Sequence, residues 1–112
     1  MNKILLSFLI VAGLSIQADA QKVFSVDSKY DADVKVFVAN SKYDADLVVF
    51  KCASKYDAKD NKGLWFFVDS KYDSDKKVFF VDSKYDADLI IFFSDSKYDA
   101  EWKKSGKKHL MY

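Results

Sequence analysis

The sequence predicts an all-β, single-domain repeat protein of six strand-plus-turn units, and three observations support this fold class. The tetrapeptide Ser-Lys-Tyr-Asp recurs at steps of 13, 13, 16, 13 and 13 residues, and its copies begin at Ser28, Ser41, Ser54, Ser70, Ser83 and Ser96. Four residues before every one of these serines stands a Phe, and two residues before each serine stands a small residue. Side chains at even spacing lie on one face of an extended strand, so each unit contains one strand.

Both faces of each predicted strand are largely apolar. The residues four positions before the serines are Phe24, Phe37, Phe50, Phe66, Phe79 and Phe92. The residues five positions before them, on the opposite face, are Val23, Val36, Val49, Trp65, Val78 and Ile91. Strands that are apolar on both faces are covered on both sides, and we expect the Phe column to form the core of every interior repeat.

Each strand is predicted to end in a tight reversal. An Asp or Asn precedes most of the serines, and such side chains favour turns because they bond to nearby backbone groups. Ser-x-x-Asp resembles a capping box, in which Ser accepts from a backbone N–H and the acid bonds back. The chain has no Pro and only 3 Gly, so the reversals do not depend on Gly at positive φ. We expect a type I turn or a single helical turn over Ser-Lys-Tyr-Asp-Ala-Asp.

Residues 1–20 are predicted to be a secretory signal peptide. Asn2-Lys3 provides a positive start, Ile4–Ile16 is almost wholly apolar, and Ala18-Asp19-Ala20 supplies an Ala-x-Ala cleavage site. The apolar run is short for a membrane span, which takes about 20 apolar residues. We expect cleavage after Ala20, a secreted or periplasmic location, and no membrane contact after cleavage.

Residues 21–112 are predicted to form a single repeat domain with two similar halves. The halves comprise about residues 23–58 and 64–101, and the polar loop 59–63 joins them. Three repeats are too few to cover strands that are apolar on both faces, so we expect the two halves to be intertwined. The Lys-rich tail 102–112 is expected to protect an open sheet edge from further pairing.

The charge balance and the single cysteine exclude several kinds of partner and bond. The formal net charge is +1 and every basic residue is Lys, which indicates no nucleic-acid partner and removes the bidentate grip of Arg on phosphates. We expect a monomer, and the sequence does not specify its partner. Cys52 is the only cysteine, so no intramolecular disulfide forms. It stands in the small apolar column, which favours core packing over a reactive thiol or a dimer bridge.

The repeated Lys-Tyr-Asp surface raises two binding hypotheses. Calcium binds six to eight oxygens, but the Asp-x-Asp pairs have Lys nearby and no Gly for a sharp turn, which favours a solvated turn whose Lys pairs with Asp of a neighbouring repeat. Tyr and Lys can instead form a ridge that binds glycan, although we expect each Tyr to cap the strand core with its hydroxyl held by Asp or backbone. The Asp-x-Asp pairs are Asp31/Asp33, Asp44/Asp46, Asp73/Asp75 and Asp86/Asp88.

No residue is predicted to be catalytic, to bind a cofactor or to ligate a metal. The only His is His109 in the tail, and six equivalent repeats provide no distinct active site. The departures from the pattern are Lys51-Cys52-Ala53, Lys59–Gly63 with Leu64-Trp65, and Trp102–Tyr112. None resembles a catalytic set, so we expect a non-enzymatic exported protein with a structural or interaction role. A calcium- or glycan-binding module is the alternative.

The repeated phrase carries a family resemblance. Val-Phe-Val-x-Asp-Ser-Lys-Tyr-Asp-Ala-Asp, which spans Val23 to Glu101 in its six copies, is similar to a family of short, uncharacterised bacterial proteins made almost wholly of this phrase. The resemblance implies a deeply knotted, seven-crossing torus topology in which the two halves wind around each other. It implies no activity, cofactor or partner.

Overall fold

The computed structural model describes residues 21–58 and 61–112, in which a short strand and a single 3-10 turn alternate. The predicted signal peptide 1–20 lies outside the described residues, as do residues 59 and 60 of the predicted loop. The strands are β1 (Lys22–Ser25), β2 (Val34–Val38), β3 (Leu47–Lys51), β4 (Leu64–Phe67), β5 (Lys76–Phe80), β6 (Leu89–Phe93) and β7 (Glu101–Trp102). The 3-10 turns are η1 (Lys29–Asp31), η2 (Lys42–Asp44), η3 (Lys55–Asp57), η4 (Lys71–Asp73), η5 (Lys84–Asp86), η6 (Lys97–Asp99) and the longer η7 (Ser105–Met111).

The first six strands form a closed parallel barrel. Their order around it is β4-β1-β5-β2-β6-β3, and pairing of β3 with β4 closes the circle. Every strand of the first half therefore lies between two strands of the second half. The predicted intertwining of the halves is confirmed, since a stacked solenoid would place β1 beside β2 instead.

The connections between strands run over the outside of the barrel and interleave the two halves. The chain leaves β1, η1 contacts β5, and the chain then enters β2 on the far side of β5. In the same way η2 crosses β6 between β2 and β3, and η5 crosses β2 between β5 and β6. Each half thus passes repeatedly over strands of the other, so the halves cannot separate without unthreading the chain.

A uniform stagger between neighbouring strands keeps one column of side chains facing inward around the whole barrel. Val36 pairs with Phe80 on one side and with Leu89 on the other. Val36 stands five positions before the serine that follows it, Phe80 three and Leu89 seven. Neighbouring strands are therefore offset by two residues, and the same offset occurs at every parallel pair. Because an offset of two preserves the direction of every side chain, the same column faces inward in all six strands.

The inward column is not the one that we expected. The side chains five positions before the serines are fully buried, namely Val23, Val36, Val49, Trp65, Val78 and Ile91. The six Phe side chains that stand four positions before the serines are only half-buried and lie on the outer face, so the predicted Phe core is wrong. A six-stranded barrel has a narrow interior, which takes β-branched side chains more readily than six Phe rings. Both columns are apolar, so sequence pattern could not decide between them.

The tail closes one end of the barrel. β7 pairs antiparallel with the start of β3, and Met111 is buried in the core with 1% of its surface exposed. Gln21 Nε2 donates to the Met111 carbonyl at 3.1 Å, and Asn61 Nδ2 donates to the Lys108 carbonyl at 2.9 Å. The β3–β4 pairing at Phe50 and Lys51 closes the barrel, and β7 covers the remaining edge at the start of β3, so the tail protects a strand edge by pairing with it rather than by Lys charge. The tail also covers the end at which the strands begin.

Among residues 21–58 and 61–112, the structure contains no helix that is long and apolar enough to cross a membrane.

Candidate functional site

The six Ser-Lys-Tyr-Asp turns have one common geometry. In each, the Ser Oγ accepts from the backbone N–H of the Tyr two residues on, at 3.1 to 3.2 Å. The backbone N–H of the Asp donates to the Ser carbonyl at 3.0 to 3.1 Å. The predicted single helical turn with a Ser cap is confirmed. A capping box has a second bond, in which the Ser backbone N–H donates to the Asp carboxylate, and this bond is not present in these described turns.

The second acid of each Asp-x-Asp pair joins the two halves of the chain. The Asp33 N–H donates to the Lys77 carbonyl at 2.7 Å, while Asp33 Oδ2 accepts from the Lys77 N–H at 2.9 Å. The other pairs that exchange two bonds in this way are Asp46 with Ile90, Asp75 with Lys22, and Asp88 with Lys35. These four aspartates are therefore structural, and each fixes a crossover to the start of a strand of the other half.

This arrangement bears directly on the calcium hypothesis. The first acid of each pair is exposed, whereas the second carboxylate is engaged by a backbone amide. The two acids of a pair therefore have different surroundings. Within the described ranges, no group of three or more His, Cys, Asp or Glu residues is placed to hold a metal ion.

The repeated Tyr side chains project into solvent. Their exposed fractions run from 79% to 88%, so the expectation that they cap the strand core is wrong. The crossovers are the outermost layer of the barrel, and within residues 21–58 and 61–112 no other segment covers these rings. Contrary to expectation, the repeated Lys forms no ion pair with an Asp of a neighbouring repeat in the part of the chain that the structure describes. In five turns its Nζ lies over the adjacent Tyr ring, 5.5 to 5.8 Å from the centroid.

Grooves run beside the exposed turns. One of them has a volume of about 540 Å³, and its walls combine the aromatic side chains Phe79 and Tyr85 with charged side chains. These charged residues are Lys29, Lys35, Asp82, Asp86 and Asp88. A second groove of about 410 Å³ is also lined by Tyr85, together with Phe37, Asp44 and Lys84. Tyr85 thus lines two grooves that offer aromatic, cationic and carboxylate groups together.

The departures from the repeat pattern do not form a catalytic set in the described residues. His109 is exposed, and its Nδ1 lies 3.1 Å from the Gly106 carbonyl oxygen. Cys52 is buried in a small cluster with Ala58 and Leu64, which confirms the packing role predicted for it. Burial raises the pKa of the Cys52 thiol, and the Asp57 charge adds to this, so the thiol stays protonated at neutral pH. One relation the sequence did not reveal is that Lys51 and Trp65 are register partners.

Comparison with known families identifies the chain. The family described as the 7(1) septoil knot domain matches residues 20–103. No curated protein and no solved structure gave a match. The chain therefore belongs to the septoil knot family, and the resemblance to seven-crossing knotted proteins is confirmed. The interleaved crossovers described above are the physical form of that topology.

Proposed function

We propose that this member of the septoil knot family is a non-enzymatic, exported binding module that contacts glycans through its Lys-Tyr-Asp turns. The observation that carries the proposal is the exposure of all six repeated Tyr rings. Large aromatic side chains at the surface commonly mark binding sites, since they lose stabilising burial and gain nothing in the free protein.

The pattern of variation among the repeats supports a role outside the fold. Lys-Tyr-Asp is identical in all six copies, although all of these side chains except the half-buried Lys42 are exposed. The fully buried column varies, with Val in four copies, Trp in one and Ile in one. Packing constrains buried positions more than exposed ones. Here the exposed turn is constant and the buried column varies, which supports an external contact as the constraint on the turn. The Ser cap does not itself require a Tyr ring.

The chemistry of the turn suits a sugar. A Tyr ring can stack on the apolar C–H face of a pyranose, a carboxylate accepts from sugar hydroxyls, and an ammonium donates to them. The groove beside Tyr85 brings these groups together in about 540 Å³, which lies in the usual range of small-molecule sites.

The placement of the turns favours several weak contacts. Each crossover lies over a different strand, so the Tyr rings are distributed around the whole barrel. A flat crystalline surface can touch only a few of them at once. A flexible, hydrated polysaccharide can contact several, and linked weak contacts raise the overall affinity.

Affinity electrophoresis tests the proposal with soluble β-glucan and glycol chitin in the gel. The protein should be retarded by at least one of these polymers, and a variant with all six repeated Tyr changed to Ala should not. Tyr112→Ala is the matched control, because Tyr112 is 74% exposed but lies outside the repeats. Equal mobility of the protein with and without both polymers, or equal retardation of the six-Ala variant, would reject glycan binding through these turns.

A further inference from the structure

The end of the barrel opposite the tail has its own ring of side chains, which we call the rim. It consists of the residues three positions before each serine. In their order around the barrel these are Phe67, Ser25, Phe80, Val38, Phe93 and Lys51. The second half supplies three half-buried Phe rings, and the first half supplies the residues between them. The rim is therefore an apolar ring with one cation.

Lys51 lies on the aromatic part of the rim. Its Nζ is 4.9 Å from the ring centroid of Phe93 and 5.6 Å from that of Phe67. These two rings are themselves in contact, with centroids 6.4 Å apart. Lys51 is exposed, so its ammonium is accessible and is held over two aromatic faces.

The same place brings together two departures from the repeat pattern. Lys51 and Trp65 are separated in sequence by the insertion, yet they pair across β3 and β4, where the barrel closes. Trp65 is fully buried and meets Phe67 edge to face, with centroids 6.1 Å apart. Its indole N–H has no hydrogen-bond partner among the described residues. A buried donor without a partner is costly and is a candidate contact for a ligand atom or an ordered water.

We propose that the rim at Lys51 binds an organic carboxylate that carries an apolar body. The carboxylate pairs with the Lys51 ammonium, and the apolar body lies over the Phe93 and Phe67 rings. The groove of about 450 Å³ beside Phe93 is lined mostly by polar side chains, Asp95 and Asp99 among them, so the apolar body stays on the rim. A single surface ammonium binds a small anion weakly, so the affinity comes from covering the aromatic faces. The proposal rests on other residues than the Tyr turns and is independent of glycan binding.

Titration with decanoate below its micellar concentration tests the proposal, with Trp fluorescence as the signal. Trp102→Phe leaves Trp65 as the reporter next to Phe67. We expect saturable decanoate binding, with acetate roughly 100-fold weaker because it lacks the apolar body and decanol roughly tenfold weaker because it lacks the charge. Non-saturable binding, or acetate binding as tightly as decanoate, would overturn the proposal.

The Lys51→Met variant separates the charge from the apolar stem. It should keep decanol binding and lose the preference for decanoate, whereas Lys71→Met, a change in the exposed η4 turn, should alter neither. Phe93→Leu should weaken both ligands. A Lys51→Met protein that still prefers decanoate tenfold, or a Phe93→Leu protein that binds both ligands unchanged, would show that the ligand binds elsewhere.

Discussion

The Asp46 carboxylate and the Lys107 ammonium form an ion pair that helps to hold the tail against the barrel. Lys107 Nζ lies 3.1 Å from Asp46 Oδ2, and the Asp46 side chain is only 2% exposed. The same oxygen accepts from the Ile90 N–H at 2.9 Å, and Lys104 Nζ lies 3.7 Å from Oδ1. The Asp46 carbonyl also accepts from the Lys103 and Lys104 backbone N–H groups. The bond that joins the two halves therefore also anchors the tail.

Asp46→Asn should destabilise the protein more than the corresponding change at Asp75. Both carboxylates accept from a strand N–H, but only Asp46 is buried and paired with tail lysines. Hydrogen bonds to charged groups contribute about 1.5–3 kcal/mol, so Asp46→Asn should cost about that much and Asp75→Asn about 1 kcal/mol less. Urea unfolding measures both values. Equal costs would mean that the tail contacts add nothing to stability.

The inward column should carry most of the packing energy. Val36→Ala removes atoms from a fully buried site, whereas Val38→Ala, two residues on in β2, alters a side chain that is 38% exposed. We expect a cost of about 2 kcal/mol for the first change and below about 1 kcal/mol for the second. If chemical denaturation showed the larger loss for Val38→Ala, the placement of Val36 at the centre of the barrel interior and of Val38 at its rim would be wrong.

Neither half of the chain should fold alone. In the barrel, β1, β2 and β3 each lie between two strands of the second half, because β3 pairs with β6 on one side and with β4 on the other. The additional partner of β3, β7, also lies beyond residue 58. A peptide of residues 21–58 loses all of these pairings. Its circular dichroism spectrum should be that of an unfolded chain, while the whole protein unfolds in one cooperative transition. Stable β-structure in the peptide would contradict the intertwined fold.

Cys52 should react slowly with thiol reagents in the native protein. Burial raises the thiol pKa above its ordinary value of 9.0, so less thiolate is present near neutral pH. The reaction with Ellman's reagent should therefore be much slower in buffer than in urea. Because the unfolded chain loses this proton first, the thiol's contribution to stability is present below pH 9 and declines above it. Cys52→Ala should remove that decline, and equal reaction rates in buffer and urea would contradict the burial.

Calcium should not stabilise the protein. The second acid of each Asp-x-Asp pair bonds to a strand amide, as Asp33 does to Lys77, so a metal would have to break the bonds that join the halves. A ligand that binds only the native state at a hundredfold excess over its Kd adds about 2.7 kcal/mol. The Tm in millimolar calcium should match that in sodium at equal ionic strength. A Tm that rises steadily with calcium would restore the metal hypothesis.

The sequence by itself determined the features that depend on neighbours along the chain. Six strands, six Ser-capped turns and two halves follow from a period of 13 residues and from the alternation of side chains. The Ser cap is local, because Ser Oγ and the Tyr N–H belong to residues two positions apart in one turn. The small column likewise predicted the burial of Cys52.

Only the tertiary structure decided which apolar column faces inward and what the repeated polar residues do. Val36 and Phe37 are equally compatible with a strand. Closure of strands from both halves into a narrow six-stranded barrel places Val36 in the interior and leaves Phe37 on the outer face. In the sequence Asp33 is half of a pair of acids that could bind a metal. Only the fold shows that it bonds to the backbone of Lys77, 44 residues away. Tyr85 is exposed because its turn crosses outside β2. Each of these outcomes depends on contacts between halves that are far apart in sequence, and local periodicity is the same for every way of pairing them.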